Sequence, residues 1–164
     1  MKNYLLLATL GLSLAACQKD EKEDEAYVVP APVTVAFNQD FSLTYQQLAQ
    51  IPTAPNPELQ VALAEVQYTY CPAGACSDNS SLVCAVGTNV FPRLRVTDAA
   101  GQSQQIALPA NRPAAGTPNW IDTTSVRANG RRYVLYYVKW KMLKCNPARH
   151  DFSVTLRVTK PNGN

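Results

Sequence analysis

Short runs in which apolar and polar residues alternate decide the fold class of this chain. The clearest covers residues 152–159, where Phe152, Val154, Leu156 and Val158 alternate with Ser, Thr and Arg. Successive side chains of a strand point to opposite faces, so such a run buries one face and exposes the other. Similar runs recur between clusters of Pro, Gly, Asn and Asp, and no long helical period interrupts them. The pattern predicts an all-β protein, and it favours an immunoglobulin-like antiparallel β-sandwich of about seven or eight strands over a barrel.

Two hairpins are predicted from their turn residues. Asn129 and Gly130 are a strong two-residue hairpin signal and join a run ending at residue 128 to the long run 132–143. A second hairpin joins 90–97 to 104–108, with Gly101 suited to positive φ. In the long run both alternating sets contain apolar residues. We expect the even-numbered set to face the core, namely Val134, Tyr136, Val138, Trp140 and Met142.

The run from residue 59 to residue 70 changes its phase. Its apolar residues are odd-numbered between 59 and 63 and even-numbered between 66 and 70. A strand that stays paired through such a slip needs one extra residue. We therefore expect a β-bulge near Ala64 and Glu65.

The first sixteen residues have the layout of a secretory signal, with Lys2, an apolar run over 4–14 and small residues before a cysteine. The sequence from Leu14 to Cys17 resembles the lipobox of bacterial lipoproteins, which implies that 1–16 is removed and that Cys17 carries the lipid. The alternative is an ordinary secretory signal followed by a chance cysteine. The resemblance implies a membrane partner through the lipid on Cys17.

Residues 17–32 are expected to form a tether, and residues 33–160 a single domain. Residues 18–25 are charged and poor in apolar side chains, so they gain too little from burial to order. Lys19, Asp20 and Glu21 resemble the signal that sends some lipoproteins to the outer leaflet of the outer membrane. We expect an outer-membrane protein exposed at the cell surface, with a periplasm-facing anchor as the alternative.

The chain after the acidic run is mildly basic. Residues 26–164 hold twelve Lys and Arg against seven Asp and Glu, a net charge of +5. Six of these cations lie in one short stretch: Arg131, Arg132, Lys139, Lys141, Lys144 and Arg149. A strand face kept charged against edge-to-edge aggregation explains them most simply. The alternative is contact with an acidic glycan or an acidic protein, through Arg131, Arg132, Lys139 and Lys141.

Four cysteines follow Cys17, namely Cys71, Cys76, Cys84 and Cys145. An even number in an exported protein predicts two disulfides, with three alternative connectivities. The rival is a four-thiolate zinc site, but the spacings are wider than those of zinc knuckles. We expect no metal.

The cysteine region resembles a family of small uncharacterised exported β-domains, many of them lipoproteins. The family has a strand with a valine, a Cys-Pro turn and a second cysteine before the next strand; here Val66, Cys71, Pro72 and Cys84 match those positions. Residues 68–70 depart from the family's Asp-Ser-Arg triplet. Since Cys76 and Cys145 have no counterpart in the family, the resemblance implies a Cys76–Cys145 bond and a Cys71–Cys84 bond. The resemblance supports the prediction of a β-domain that is exported, and it implies no activity.

No catalytic motif is found, and the one histidine, His150, excludes a two-histidine metal site. We expect no enzyme, cofactor or nucleic-acid partner, but a binding module of unknown ligand. Trp120 is the best candidate contact because an indole offers a flat rigid face, although core burial is the simpler role for it. The alternatives are an envelope subunit without ligand and a protease inhibitor that uses the loop 109–118.

The lipid anchor is directly testable. We expect Cys17→Ala to abolish acyl labelling and membrane association, because the thiol is the attachment point. Metabolic labelling with radioactive palmitate, followed by membrane fractionation, measures both. Label retained on the variant would contradict lipidation.

The export segment is tested in the same cells. Protease shaving of intact cells should remove the wild-type protein and spare a variant with Lys19, Asp20 and Glu21 changed to Ala. Equal protection of both would place the protein on the periplasmic side and reduce the charged run to a plain tether.

Overall fold

The computed structural model describes residues 27–52, 56–71, 87–109 and 119–160. Those residues contain strands and one 3-10 helix, Arg149–Asp151, so the all-β prediction is confirmed. The strands in chain order are β1 (Val33–Thr34), β2 (Asp40–Leu43), β3 (Leu48–Ile51), β4 (Leu59–Thr69), β5 (Asn89–Asp98), β6 (Ser103–Ala107), β7 (Asp122–Ala128), β8 (Arg131–Met142) and β9 (Phe152–Thr159). Strand β3 was not predicted, because its four residues include an alanine and give too short an alternation to recognise.

The strands form two sheets. The first has the order β1-β3-β4-β5-β6 and the second the order β2-β9-β8-β7. Each sheet consists mostly of strands that follow one another in the chain, and of the described strands only β1 and β3 pair in parallel. In immunoglobulin constant domains the sheets instead follow the order A-B-E-D and C-F-G. The immunoglobulin-like arrangement is therefore not confirmed.

A single hydrophobic core takes residues from both sheets, as in a sandwich. The first sheet contributes Leu63 and Leu94, and the second contributes Leu43 and Leu156; none of these four side chains is exposed to solvent. Burying a leucine side chain stabilises a fold by about 1.5–3 kcal/mol. The core therefore holds the two sheets together along their inner faces.

Both predicted hairpins are present. Asn129 and Gly130 have φ values of 51° and 68°, as a type I′ turn requires. The Asn129 side chain also donates to the carbonyl of Glu58 at 2.7 Å and accepts from the amide of Ala99 at 3.1 Å. Gly101 has φ of 82° in the turn between β5 and β6. The local sequence thus determines both turns.

The predicted bulge in β4 is also confirmed. Leu63 pairs with Leu94 and Glu65 pairs with Arg93, so Ala64 is the extra residue. Beyond it Val66 is buried and Tyr68 packs against the core. The bulge keeps the apolar face of β4 turned inward along its whole length.

The predicted core face of β8 is wrong in its first half. Tyr133, Leu135 and Tyr137 are buried, whereas Val134 and Tyr136 lie on the outer face. A second bulge reverses the phase: Tyr137 pairs with Leu156 and Lys139 with Thr155, which leaves the residue between them unpaired. After this bulge the prediction is right, because Trp140 and Met142 pack against the core.

Glu58 connects three separate parts of the chain next to the Asn129–Gly130 turn. Its carboxylate accepts hydrogen bonds from the Tyr133 hydroxyl and, at 2.8 Å, from the Lys160 ammonium. The Arg131 guanidinium lies 3.8 Å away. Burial opposes ionisation, but these hydrogen bonds and cations outweigh it and lower the pKa of Glu58. The start of β4, the start of β8 and the end of β9 are thereby joined.

Glu58 is expected to make stability depend on pH. A carboxyl whose pKa is lowered by folding stabilises the fold above its unfolded value of about 4.3, and this contribution is lost as pH falls through the folded value. Glu58→Gln should therefore lose less stability between neutral pH and acid than the wild type loses. Urea unfolding at both pH values measures this difference.

Glu65→Gln is the matched control, because the Glu65 side chain is 43% exposed and pairs with Arg93 at 3.4 Å. Exposed pairs contribute little, so this variant should behave like the wild type. An acid response of Glu58→Gln equal to that of the wild type would contradict the assigned role of Glu58.

Tyr137 joins the two sheets through the core. Its side chain is fully buried on β8, and its hydroxyl donates to the carbonyl of Val90 on β5 at 3.0 Å. Burial raises the pKa of Tyr137, so the hydroxyl stays protonated and remains a donor. This bond fixes the two sheets at one position.

Tyr137→Phe should destabilise the protein by about 1–2 kcal/mol, since the buried carbonyl loses its donor while the ring is kept. Tyr136→Phe on the outer face is the matched control and should change stability little. Urea midpoints at neutral pH compare the two variants. Equal midpoints for both would show that the bond between the sheets contributes nothing.

Candidate functional site

The outer face of the second sheet carries most of the unpaired positive charge in the described residues. Five cations alternate there with core residues: Arg127 on β7, Arg132, Lys139 and Lys141 on β8, and Arg157 on β9. We call these five residues and the aromatic pair between them the cationic face. The bulge in β8 is essential to this grouping, because it turns the odd-numbered lysines to the side that already carries Arg132.

An aromatic pair lies at the centre of the cationic face. Trp120 meets the ring of Tyr136 edge-on, with centroids 5.0 Å apart, and is half-buried. The Arg157 guanidinium lies 5.9 Å above the same tyrosine ring. Arg157 also donates to Asp40 at 2.6 Å, and this bond raises the pKa of Arg157. The cationic face therefore offers a ligand two aromatic rings and a guanidinium group side by side.

Positive charge exceeds negative charge on this face. Asp40 is its one carboxylate among the described residues and is already paired with Arg157. The other four cations have no ion-pair partner in the described part of the chain. Arg127 and Arg132 even stand directly opposite each other across β7 and β8. Like charges in that arrangement destabilise a sheet, and a carboxylate of the other sheet, that of Asp98, lines a concavity with both arginines.

Of the residues predicted from the sequence to contact a ligand, some lie on the cationic face and one lies elsewhere. Trp120, Arg132, Lys139 and Lys141 come together here, and Trp120 lies outside the core. Arg131 instead pairs with Glu58. Two further cations of the basic stretch are also elsewhere, Lys144 beside Asp151 and Arg149 beside Tyr45.

Sequence reasoning missed three members of the cationic face. Arg157 lies at a polar position of the clearest alternating strand, so its outward direction could have been read from the pattern. Arg127 lies just before the Asn129–Gly130 turn, which places it opposite Arg132. Tyr136 was assigned to the core because both faces of the β8 sequence are apolar.

A cleft of about 650 Å³ lies at the side of the sandwich, near the β4 bulge. Residues 65–68 form one wall, and Tyr27, Tyr45 and residues 148–150 form the other. Tyr27 stacks on the ring of His150 at 5.0 Å, and its hydroxyl donates to the carbonyl of Tyr45 at 2.6 Å. The end of the segment expected to be a tether therefore contacts the domain.

His150 lies between this cleft and a buried acid. Its Nε2 atom is 3.8 Å from Asp151, which also accepts from the amide of Ala148 at 3.0 Å and pairs with Lys144 at 3.5 Å. These contacts stabilise the short helix Arg149–Asp151, which lies next to β4, where the Tyr68 hydroxyl donates to the carbonyl of Pro147 at 2.6 Å. The observed role of Asp151 is thus to shape the cleft wall.

Several predicted features fall on residues outside the described ranges: the signal peptide, Cys17, Cys76, Cys84 and most of the loop 109–118. Cys71 and Cys145 lie within the ranges and are disulfide-bonded. The chain segments that carry them are neighbours, because the Asn146 amide donates to the Tyr70 hydroxyl at 3.3 Å. The pairing of the four cysteines stays a prediction.

The described residues lack two further features. No helix in these ranges has the length and hydrophobicity needed to cross a membrane. The same ranges hold no cluster of three or more His, Cys, Asp or Glu side chains suited to a metal ion.

Comparison with known proteins adds no relative: no protein-family model, curated protein or solved structure matches the chain. The resemblances to lipoproteins and to small exported β-domains therefore stay predictions. The candidate site stands on its own geometry.

Proposed function

We propose that this protein is a lipid-anchored cell-surface module that binds an acidic glycan on its cationic face and catalyses no reaction. The observation that carries the proposal is the excess of cations there, five against the single carboxylate of Asp40. Arg and Lys bind carboxylate, sulfate and phosphate groups through charge-assisted hydrogen bonds. An anionic ligand would also offset the repulsion between Arg127 and Arg132.

The shape of the face favours a linear ligand. The cations on β8 run from Arg132 to Lys141, which at about 3.3 Å per residue spans roughly 25–30 Å. A polysaccharide with one acidic group in each repeating unit can meet such a row at several points. Several weak contacts along one chain then add to a useful affinity.

The aromatic pair favours a sugar over a simple polyanion. Trp120 and Tyr136 are fixed against each other, so they offer contact area with little loss of conformational entropy. Arg157 lies beside them and can bind an acidic group on a sugar that contacts the rings. An envelope subunit without ligand has no use for this arrangement.

The proposal also includes the localisation of the protein and its two disulfides. Lipid on Cys17, with Lys19, Asp20 and Glu21 directing export, would hold the module at the outer surface. Bonds Cys71–Cys84 and Cys76–Cys145 would join the end of β4 to the segment before β9. Non-reducing peptide mapping distinguishes this connectivity from the alternatives.

Glycan binding is tested with the mature chain carrying Cys17→Ser, which keeps it soluble. An array of acidic and neutral glycans should show binding to acidic members, weakening as salt rises. The double variant Lys139→Glu and Lys141→Glu should bind roughly tenfold more weakly or worse. Trp120→Ala should also weaken binding, because it removes the ring contact.

Arg95→Glu is the matched control, since Arg95 is an exposed cation on β5 of the other sheet. It changes the net charge as much as one of the two lysine substitutions does, and it should leave binding unchanged. If Arg95→Glu weakens binding as much as Lys139→Glu alone, the attraction is to net charge and not to the cationic face. Binding to no glycan, or equal binding to neutral glycans, would overturn the proposal and favour the structural alternative.

A further inference from the structure

We infer that the cleft beside β4 is a second binding site, which takes an extended peptide segment bearing an acidic side chain by adding it to the free edge of that strand. The site shares no residue with the cationic face. It is therefore independent of the proposed glycan binding and can fail or succeed separately.

The free edge begins at the bulge. Before the bulge β4 lies between β3 and β5: Leu59 pairs with Ile51, and Leu63 exchanges hydrogen bonds with Gln46 and Gln47 at 2.8 and 3.1 Å. After it, residues 65–69 continue to pair with β5. No strand among the described residues pairs with their other side. Alternate residues of a strand direct their N–H and C=O groups to the same edge, so this stretch offers unpaired backbone groups.

The cleft lies directly along this edge. Residues 65–68 form one wall, and the opposite wall is built from Tyr27, Tyr45 and residues 148–150. An edge bounded by side chains in this way resembles the sites at which extended peptides add a strand to a sheet. Backbone hydrogen bonds then supply affinity, and the surrounding side chains select the sequence.

The charges of the cleft select an acidic side chain. Its one carboxylate, Glu65, is already engaged by Arg93 at 3.4 Å and by the Gln67 amide at 3.2 Å. Arg149 is exposed, lies 5.7 Å above the Tyr45 ring and has no ion-pair partner among the described residues. The uncompensated charge in the cleft is therefore positive, and a carboxylate of the peptide would pair with it.

The probe is a phage-displayed random peptide library, selected on the mature chain carrying Cys17→Ser. Selected peptides should be extended and carry Asp or Glu, and synthetic copies should lose binding when their backbone amides are N-methylated at alternate positions. Hydrogen exchange should show new protection at the amides of residues 65–69 when peptide is bound. Arg149→Glu should weaken binding roughly tenfold, whereas Arg95→Glu should not.

Three kinds of result would contradict the binding of a separate peptide at the free edge of β4. No selected peptide, or peptide binding without protection at residues 65–69, would overturn strand addition. If an acidic oligosaccharide displaces the peptide, and if Arg149→Glu weakens binding of that oligosaccharide, the cleft binds a sugar and not a peptide. Peptide binding only after residues 18–26 are deleted would show that this acidic segment of the same chain is the occupant. Thermal unfolding of the variants separates loss of binding from loss of fold.

Discussion

The two β-bulges are the constraint on which the rest of the molecule depends. Each inserts one residue into a long strand, at Ala64 in β4 and between Tyr137 and Lys139 in β8. A strand has a side-chain period of two, so one inserted residue exchanges its inner and outer faces. Without the bulge in β8, Lys139 and Lys141 would point into the core. The cost of burying two unpaired ammonium groups would make that arrangement untenable.

The same constraint explains which parts of the fold could be predicted. The slip in β4 is visible in the sequence because its apolar residues change from odd to even positions. The slip in β8 is hidden because Tyr133, Leu135 and Tyr137 are as apolar as the neighbours between them. Hairpins were predictable from Asn129, Gly130 and Gly101, where backbone conformation is a local property. The order of strands in each sheet depends on distant contacts and could not be predicted.

The candidate site shows a similar limit. Sequence proximity grouped six cations, but the fold keeps only Arg132, Lys139 and Lys141 together on one face. It adds Arg157, which is distant in the chain and reaches the face through the pairing of β8 with β9. The remaining cations near the turns have carboxylate or aromatic neighbours. Whether a cation joins the candidate site or is paired within the fold therefore depends on its neighbours across the sheet, and not on those along the chain.

The docking of Tyr27 has a mechanical consequence for a protein held by lipid on Cys17. Tyr27 is ten positions after Cys17 in the chain, and a fully extended chain of that length spans at most about 35 Å. The tether would therefore keep Tyr27, and with it the cleft, within about 35 Å of the bilayer. The Asn129–Gly130 turn lies at the opposite end of β4 from the cleft, so the row of cations on β8 leads away from the tethered end of the domain.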